Sequence, residues 1–234
     1  MNAAFLALMP ADAPAPGTCV RIERPEPGLV RLVLDPPHRK LAVLDLPLMR
    51  DLDRALDTLA GDDGLKALVI TGREPTSFAA GADIETLIKI DDPALALELG
   101  RYGQGVFQKL AKLRAFKVAA VGGPVPGGAF EMALACDRIV LADHPSTRIG
   151  LPEVQLGILP GWGGSQRLPR RIGVPAALEA ILAGRLFDPR RALRAGLVDR
   201  LTWPEYLLRV ASDIAMGRTR CARFDRGAYA WMVD

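Results

Sequence analysis

Cysteine, histidine and aromatic residues are scarce in this sequence, and each scarcity removes a class of function. Three cysteines, Cys19, Cys136 and Cys221, are far apart and odd in number. That argues against a disulfide framework and for free thiols in a reducing, cytoplasmic setting. The two histidines, His38 and His144, belong to no CxxC or HExxH spacing, so no metal site is expected. Aromatic residues make up 6% of the chain, and the formal charge of +3 is spread along it without a basic tail. Nucleic acid is therefore not an expected partner. A membrane is not expected either: the apolar patch in MNAAFLALMPADAPAPG is too short to span a bilayer and has no basic residues before it. Residues 1–17 are expected to form a mobile extension.

Nucleotide-binding and hydrolase signatures are also missing. There is no GxxxxGK[ST], no GxGxxG and no GxSxG, and Ser165 in GGSQRL reads as a helix N-terminal residue rather than a nucleophile. The Arg-rich stretches at 167–171 and 185–200 are expected to be solvated faces, with a phosphate-bearing ligand as the alternative reading.

Half of the 234 residues are apolar, enough for one large domain or two small ones. LVRLVL (29–34) reads as a strand stopped by DPP. In LPLMRDLDRALDTLA, apolar residues recur at three and four, which predicts an amphipathic helix. KALVIT (66–71) reads as a buried strand, GADIETLIKI as a helix start with Asp83 in its first turn, and the segment from Pro93 to about Leu113 as a longer helix. KVAAVGG repeats the strand and glycine turn, a helix follows from about Pro126 to Cys136, and RIVLAD is another strand. From Gly163 onward helical patterns dominate. Repeated strand, glycine loop and helix units predict an α/β domain of stacked units closed by a C-terminal helical segment.

Two glycine loops, SFAAGAD (77–83) and PVPGGAFE (124–131), each follow an apolar strand. Such loops leave backbone N–H groups free at the start of the next helix. One N–H from each, converging on one oxygen, forms an oxyanion hole; plain turn and cap roles are the alternative. Glu131 lies in a small, apolar run with Gly127, Gly128, Leu134 and Ala135 at its three and four neighbours. No basic side chain on its own helix can neutralise it, so burial is expected to raise its pKa while the helix N-terminus opposes the rise. A first-turn helix glutamate serving the dipole is the alternative for Glu131, and a loop carboxylate for Glu153.

In combination, ALVITGREPTSFAAGADIETL, KVAAVGGPVPGGAFEMALACDRIVLAD and IGLPEVQLGILPGWGGSQRLPRRIG resemble the crotonase superfamily, in particular its enoyl-CoA hydratase/isomerase branch, over residues 20–200. The resemblance implies an α/β crotonase fold, a spiral of repeated β-β-α units, with a core at 18–200 and a C-terminal helical tail at 201–234 that is shorter than is usual in the family. It implies that Ala82 and Gly128 donate the oxyanion hydrogen bonds, and that Glu131 and Glu153 act as acid and base in hydrating a 2-enoyl-CoA. Substrate contacts are implied at Ala80, Asp83, Lys40 and Ala42. Coenzyme A enters only as part of the acyl-CoA substrate, with no further cofactor, and the implied assembly is a homo-oligomer, a trimer or a dimer of trimers. Isomerases of the family commonly keep only the second glutamate, so the pair favours hydration. An isomerase, another acyl-CoA enzyme, and a non-catalytic CoA-binding module remain as alternatives.

The chain departs from the family pattern in three places. Ala42, in HRKLAVLD, stands where Asn is common. Glu85 stands where many members carry Lys, leaving Arg39, Lys40 or Lys89 to meet the CoA phosphates. The chain also stops soon after GLVDRL, as would a short member, a trimmed chain or the hydratase part of a longer β-oxidation protein.

Overall fold

The computed structural model describes Phe5 and residues 8–221. A hairpin opens the fold, pairing β1 (Val20–Glu26) antiparallel with β2 (Leu29–Leu34). Helix α1 (Leu46–Ala60) leads to β3 (Ala67–Gly72), and the short α2 (Ile84–Ile88) and long α3 (Pro93–Lys112) lead to β4 (Phe116–Val121). Next come β5 (Pro124–Pro126), α4 (Gly128–Leu134), β6 (Arg138–Ala142), β7 (Arg148–Gly150) and a 3-10 turn at Glu153–Leu156. Helices α5 (Gly164–Ile172) and α6 (Val174–Ala183) precede β8 (Leu186–Phe187), α7 (Pro189–Arg194), β9 (Arg200–Thr202) and α8 (Leu207–Ala215).

The main sheet has the order β1-β2-β3-β4-β6-β9 and is parallel from β2 onward; β5, β7 and β8 form a second, small sheet. The β4–β5–α4 unit is followed by a second unit, β6–β7–α5. Pairing of β4 with β6 and of β5 with β7 stacks one unit on the next. This is the expected spiral of β-β-α units.

Every residue of β3 is buried, and its alternation explains why. Leu68 and Ile70 face the large core shared with α1, α3 and α4, whereas Ala67 and Val69 face a second layer covered by Leu207, Ala211 and Ile214 of α8. A strand covered on both faces needs a continuous apolar run. Each fully buried Leu or Ile contributes about 1.5–3 kcal/mol.

Local chemistry sets the ends of the helices. Asp45 accepts from the Leu48 N–H (3.0 Å) at the start of α1, and Asp92 from the Ala94 N–H (2.9 Å) at the start of α3. Each helix has Pro in its first turn, where the missing N–H removes no intrahelical bond.

The arginines of 167–171 are not all on a solvated face, contrary to expectation. Arg171 is buried: Nη2 donates to Asp199 Oδ2 (2.6 Å) and Nε to the Gly196 carbonyl (3.0 Å). The same Asp199 oxygen accepts from the Ile139 N–H (2.7 Å), which ties α5 to β6. Asp199→Ala removes the carboxylate that Arg171 and the Ile139 N–H share, so it is expected to destabilise the fold by about 1–3 kcal/mol, read as a lowered urea midpoint.

Part of the segment anticipated as an extension packs on the body. Phe5 is buried with Leu46 and Leu99, its ring 5.4 Å from that of Tyr102, and Arg50 donates to the Pro14 carbonyl. An aromatic side chain here finds an apolar slot between α1 and α3. Of the anticipated helical tail, α8 occupies 207–215, and residues 222–234 lie outside the described residues.

Candidate active site

The loops after β3 and β5 meet because Gly81 permits it. Gly81 has φ +93°, and a Cβ there would lie 2.9 Å from the Pro126 carbonyl oxygen. Contact at Gly81 and Pro126 brings Ala82, the next residue, close to Gly128 at the start of α4. A parallel bridge joins Leu44 to Ala82, with the Leu44 N–H donating to the Gly81 carbonyl (2.9 Å). In this pattern the N–H of Ala82 itself points away from the bridge. The Gly128 N–H lies in the first helical turn, where no intrahelical acceptor exists.

Ala82 and Gly128 line a cavity of about 340 Å³ together with Ala80, Glu131, Glu153 and Trp162. Its remaining wall is largely apolar, including Leu87 and Leu99, with Leu156, Ile158 and Leu159 exposed at the opening. Volume and lining are in the range of a small-molecule site.

Glu131 and Glu153 both reach this cavity, in unlike surroundings. Glu131 is 2% exposed, and its Oε1 accepts from the backbone N–H of Trp162 (2.8 Å) and of Gly164 (2.7 Å). Burial pushes its pKa up, while those two donors and the Arg167 charge oppose the rise. Glu153 is 8% exposed, begins the 3-10 turn, and has no hydrogen-bond partner on either carboxylate oxygen. Burial pushes its pKa up to about 7; its own nearby backbone N–H, which falls short of hydrogen-bond geometry, opposes this, and the Glu131 charge adds to it. A Cβ at Gly127 would lie 3.1 Å from Glu153 Oε1, so the glycine before the α4 N-terminus leaves room for that carboxylate.

The anticipated substrate contacts divide. Ala80 is on the cavity wall, but Lys40, Ala42 and Asp83 are not. Ala42 is buried one layer behind, its carbonyl accepting from the Ala80 N–H (2.8 Å). It therefore shapes the loop rather than forming the wall. Asp83 occupies the N-cap position of α2 without a capping bond, accepts from the Thr86 hydroxyl (2.5 Å), and borders a small neighbouring void. Lys40 is exposed. Arg39 lies 3.6 Å from Asp45, so its charge is already matched by a carboxylate.

Trp162 lines both the cavity and that neighbouring void, as do Ala82, Leu87 and Leu99. The Trp162 ring fits between two helices: a Cβ at Gly103 would lie 2.3 Å from Nε1, and one at Gly128 would lie 2.7 Å from Cε3 and Cζ3. Phe107 supports it edge-on at 5.6 Å. Gly103→Ala is expected to lose about 1–3 kcal/mol by overpacking and to change the Trp fluorescence spectrum, measurable in a thermal melt.

The enoyl-CoA hydratase/isomerase family model matches residues 26–216. The chain belongs to that family. Among curated relatives, the fatty acid oxidation complex subunit alpha of Aliivibrio fischeri is 41% identical over 186 residues, which is 79% of this chain and 27% of the relative. The chain thus spans about a quarter of the length of the curated relatives it matches. An enoyl-CoA hydratase from Bacillus anthracis superposes with TM-score 0.79 at 30% identity, covering 85% of this chain and 76% of that one. Human mitochondrial delta3-delta2-enoyl-CoA isomerase superposes with TM-score 0.78 at 30% identity, covering 86% and 78%. Hydratase and isomerase relatives thus fit this crotonase-superfamily fold about equally well, so the fold does not separate the two activities.

The expectations did not include the turn that holds Glu131, formed by the Trp162 and Gly164 N–H groups, nor Arg167 behind it. The run GWGG just before α5 carried the available signal, since paired glycines ahead of a helix expose donors.

Proposed function

We propose that this chain adds water across the 2,3 double bond of a 2-enoyl-CoA. The observation that carries the reading is the contrast between the two cavity carboxylates. Glu131 is held by two backbone N–H groups that favour its ionised form; Glu153 has no partner and a pKa near neutrality. Groups whose environments separate their proton affinities suit paired acid and base roles.

In the proposed reaction, ionised Glu131 takes a proton from water as the hydroxyl attacks the β-carbon. The double-bond electrons move onto the thioester oxygen as an enolate, which the N–H groups of Ala82 and Gly128 stabilise. Protonated Glu153 then delivers its proton to the α-carbon. The enolate collapses to the 3-hydroxyacyl thioester, and proton exchange with solvent resets both carboxyls. Coenzyme A enters and leaves as part of the substrate, and no further cofactor is invoked. A cytoplasmic homo-oligomer, a trimer or a dimer of trimers, completes the proposal and is checked by mass in solution.

The test is spectroscopic. Loss of the conjugated thioester absorbance on adding the protein to crotonyl-CoA is expected. Appearance of that absorbance from a 3-enoyl-CoA, with no hydration of crotonyl-CoA, would replace the reading with an isomerase. CoA binding with neither change would leave a binding module.

A further inference from the structure

Trp162 lies between two charges. Its N–H donates to Glu131 Oε1, and its carbonyl accepts from Arg167 Nη1 at 2.9 Å. Arg167 Nη2 also reaches the Phe107 carbonyl (3.5 Å) and Gln108 Oε1 (3.4 Å) at the end of α3. Gly163 makes this crossing possible: its φ is +114°, and a Cβ there would stand 2.0 Å from Nη1. The guanidinium therefore spans the turn that supplies both donors to Glu131 and fastens it to a second helix.

We propose that Arg167 is a positioning residue for Glu131, holding the turn at 162–164 so that its two N–H groups stay aimed at the carboxylate while its charge attracts that carboxylate. This rests on Glu131 acting as the base. The charged or titratable groups acting on Glu131 are Arg167 from α5 and Glu153 from the turn after β7. Arg167 in turn meets Glu131, Cys136 and Arg170. Burial pushes the Cys136 thiol up to about 12, so it is neutral at working pH. Arg167 and the two N–H donors together act against the desolvation of Glu131, and a partly buried pair of opposite charges is screened less than a surface pair.

The sign follows from that opposition. Removing the guanidinium removes an interaction that favours ionised Glu131, so the base is lost at a higher pH. Arg167→Met is expected to move the acidic limb of the kcat/KM profile for crotonyl-CoA upward. Arg167→Lys keeps a charge but not the planar fork, and its limb is expected to move less. Gly163→Ala displaces the guanidinium without altering the charge count, and is expected to shift the limb in the same direction as Arg167→Met.

Wild-type protein is assayed first with 2-enoyl-CoA and 3-enoyl-CoA. Inactivity toward both overturns the reading of Glu131 as a base, and this inference with it. Active wild type with a pH-independent loss and an unmoved limb in Arg167→Met overturns the positioning role alone. Should Arg167→Met not fold, as judged by its thermal melt, Gly163→Ala decides, and an unmoved limb there overturns the proposal.

Discussion

Glu153→Gln is expected to lower the turnover of crotonyl-CoA by about 100- to 10,000-fold, the range for removal of a general acid or base, while leaving the protein at least as stable. The two effects have one cause. Glu153 is buried with no hydrogen-bond partner on either oxygen, so its charge is costly to the fold and useful only to a reaction that needs a proton near neutrality. Its pKa rises from 4.5 to about 7 on folding. The folded state therefore holds the proton more tightly than the unfolded one. The stabilisation from that proton is complete below pH 4.5 and is lost as pH rises through 7. Gln does not titrate, so the melting temperature of the variant relative to wild type should increase across that window. Glu131→Gln should lose activity over a comparable range, and its carbonyl oxygen can still accept from Trp162 and Gly164. Near-wild-type turnover in either variant removes that residue from the mechanism.

The fold was legible where one surface decides the pattern. The α1 stripe runs over Leu48, Leu52, Leu56 and Leu59, all buried in one core, and the helix begins and ends where the sequence indicates. Strand β1 was not read, because in VRIERPE only Val20 is buried, the exposed residues follow no alternation, and charged side chains line an edge that pairs only with β2. Strands β5, β7 and β8 have two or three residues each. No alternation can be recognised over that length, and only the stacking of successive units makes them strands.

The site divides along the same line. Glycine loops and glutamates are local features, so Ala82, Gly128, Glu131 and Glu153 could be named and are brought to one cavity. The environment of Glu131 depends on N–H groups 31 and 33 residues away, and backbone donors carry no mark in a sequence. Ala42 and Asp83 were assigned by motif position, yet the bridge between Leu44 and Ala82 puts one behind the wall and the other beside a separate void. Proximity in sequence to a cavity-lining loop did not decide which face of it a side chain took.

Ala82→Pro isolates the role of a single backbone hydrogen. The Leu44 N–H donates to the Gly81 carbonyl, so the bridge makes no use of the Ala82 N–H, and Ala82 already carries a Cβ, which a proline ring extends. Proline removes the donor and places Cδ where the N–H pointed. If that hydrogen holds the developing enolate oxygen, kcat should fall by about 100- to 1000-fold. Ala82→Gly, which keeps the N–H, should stay much closer to wild type. Transition-state stabilisation predicts that the loss appears mainly in kcat, with a smaller change in affinity for a saturated acyl-CoA that forms no enolate. An equal loss in Ala82→Gly would assign the effect to loop shape, and full activity in Ala82→Pro would leave Gly128 to stabilise the enolate without it.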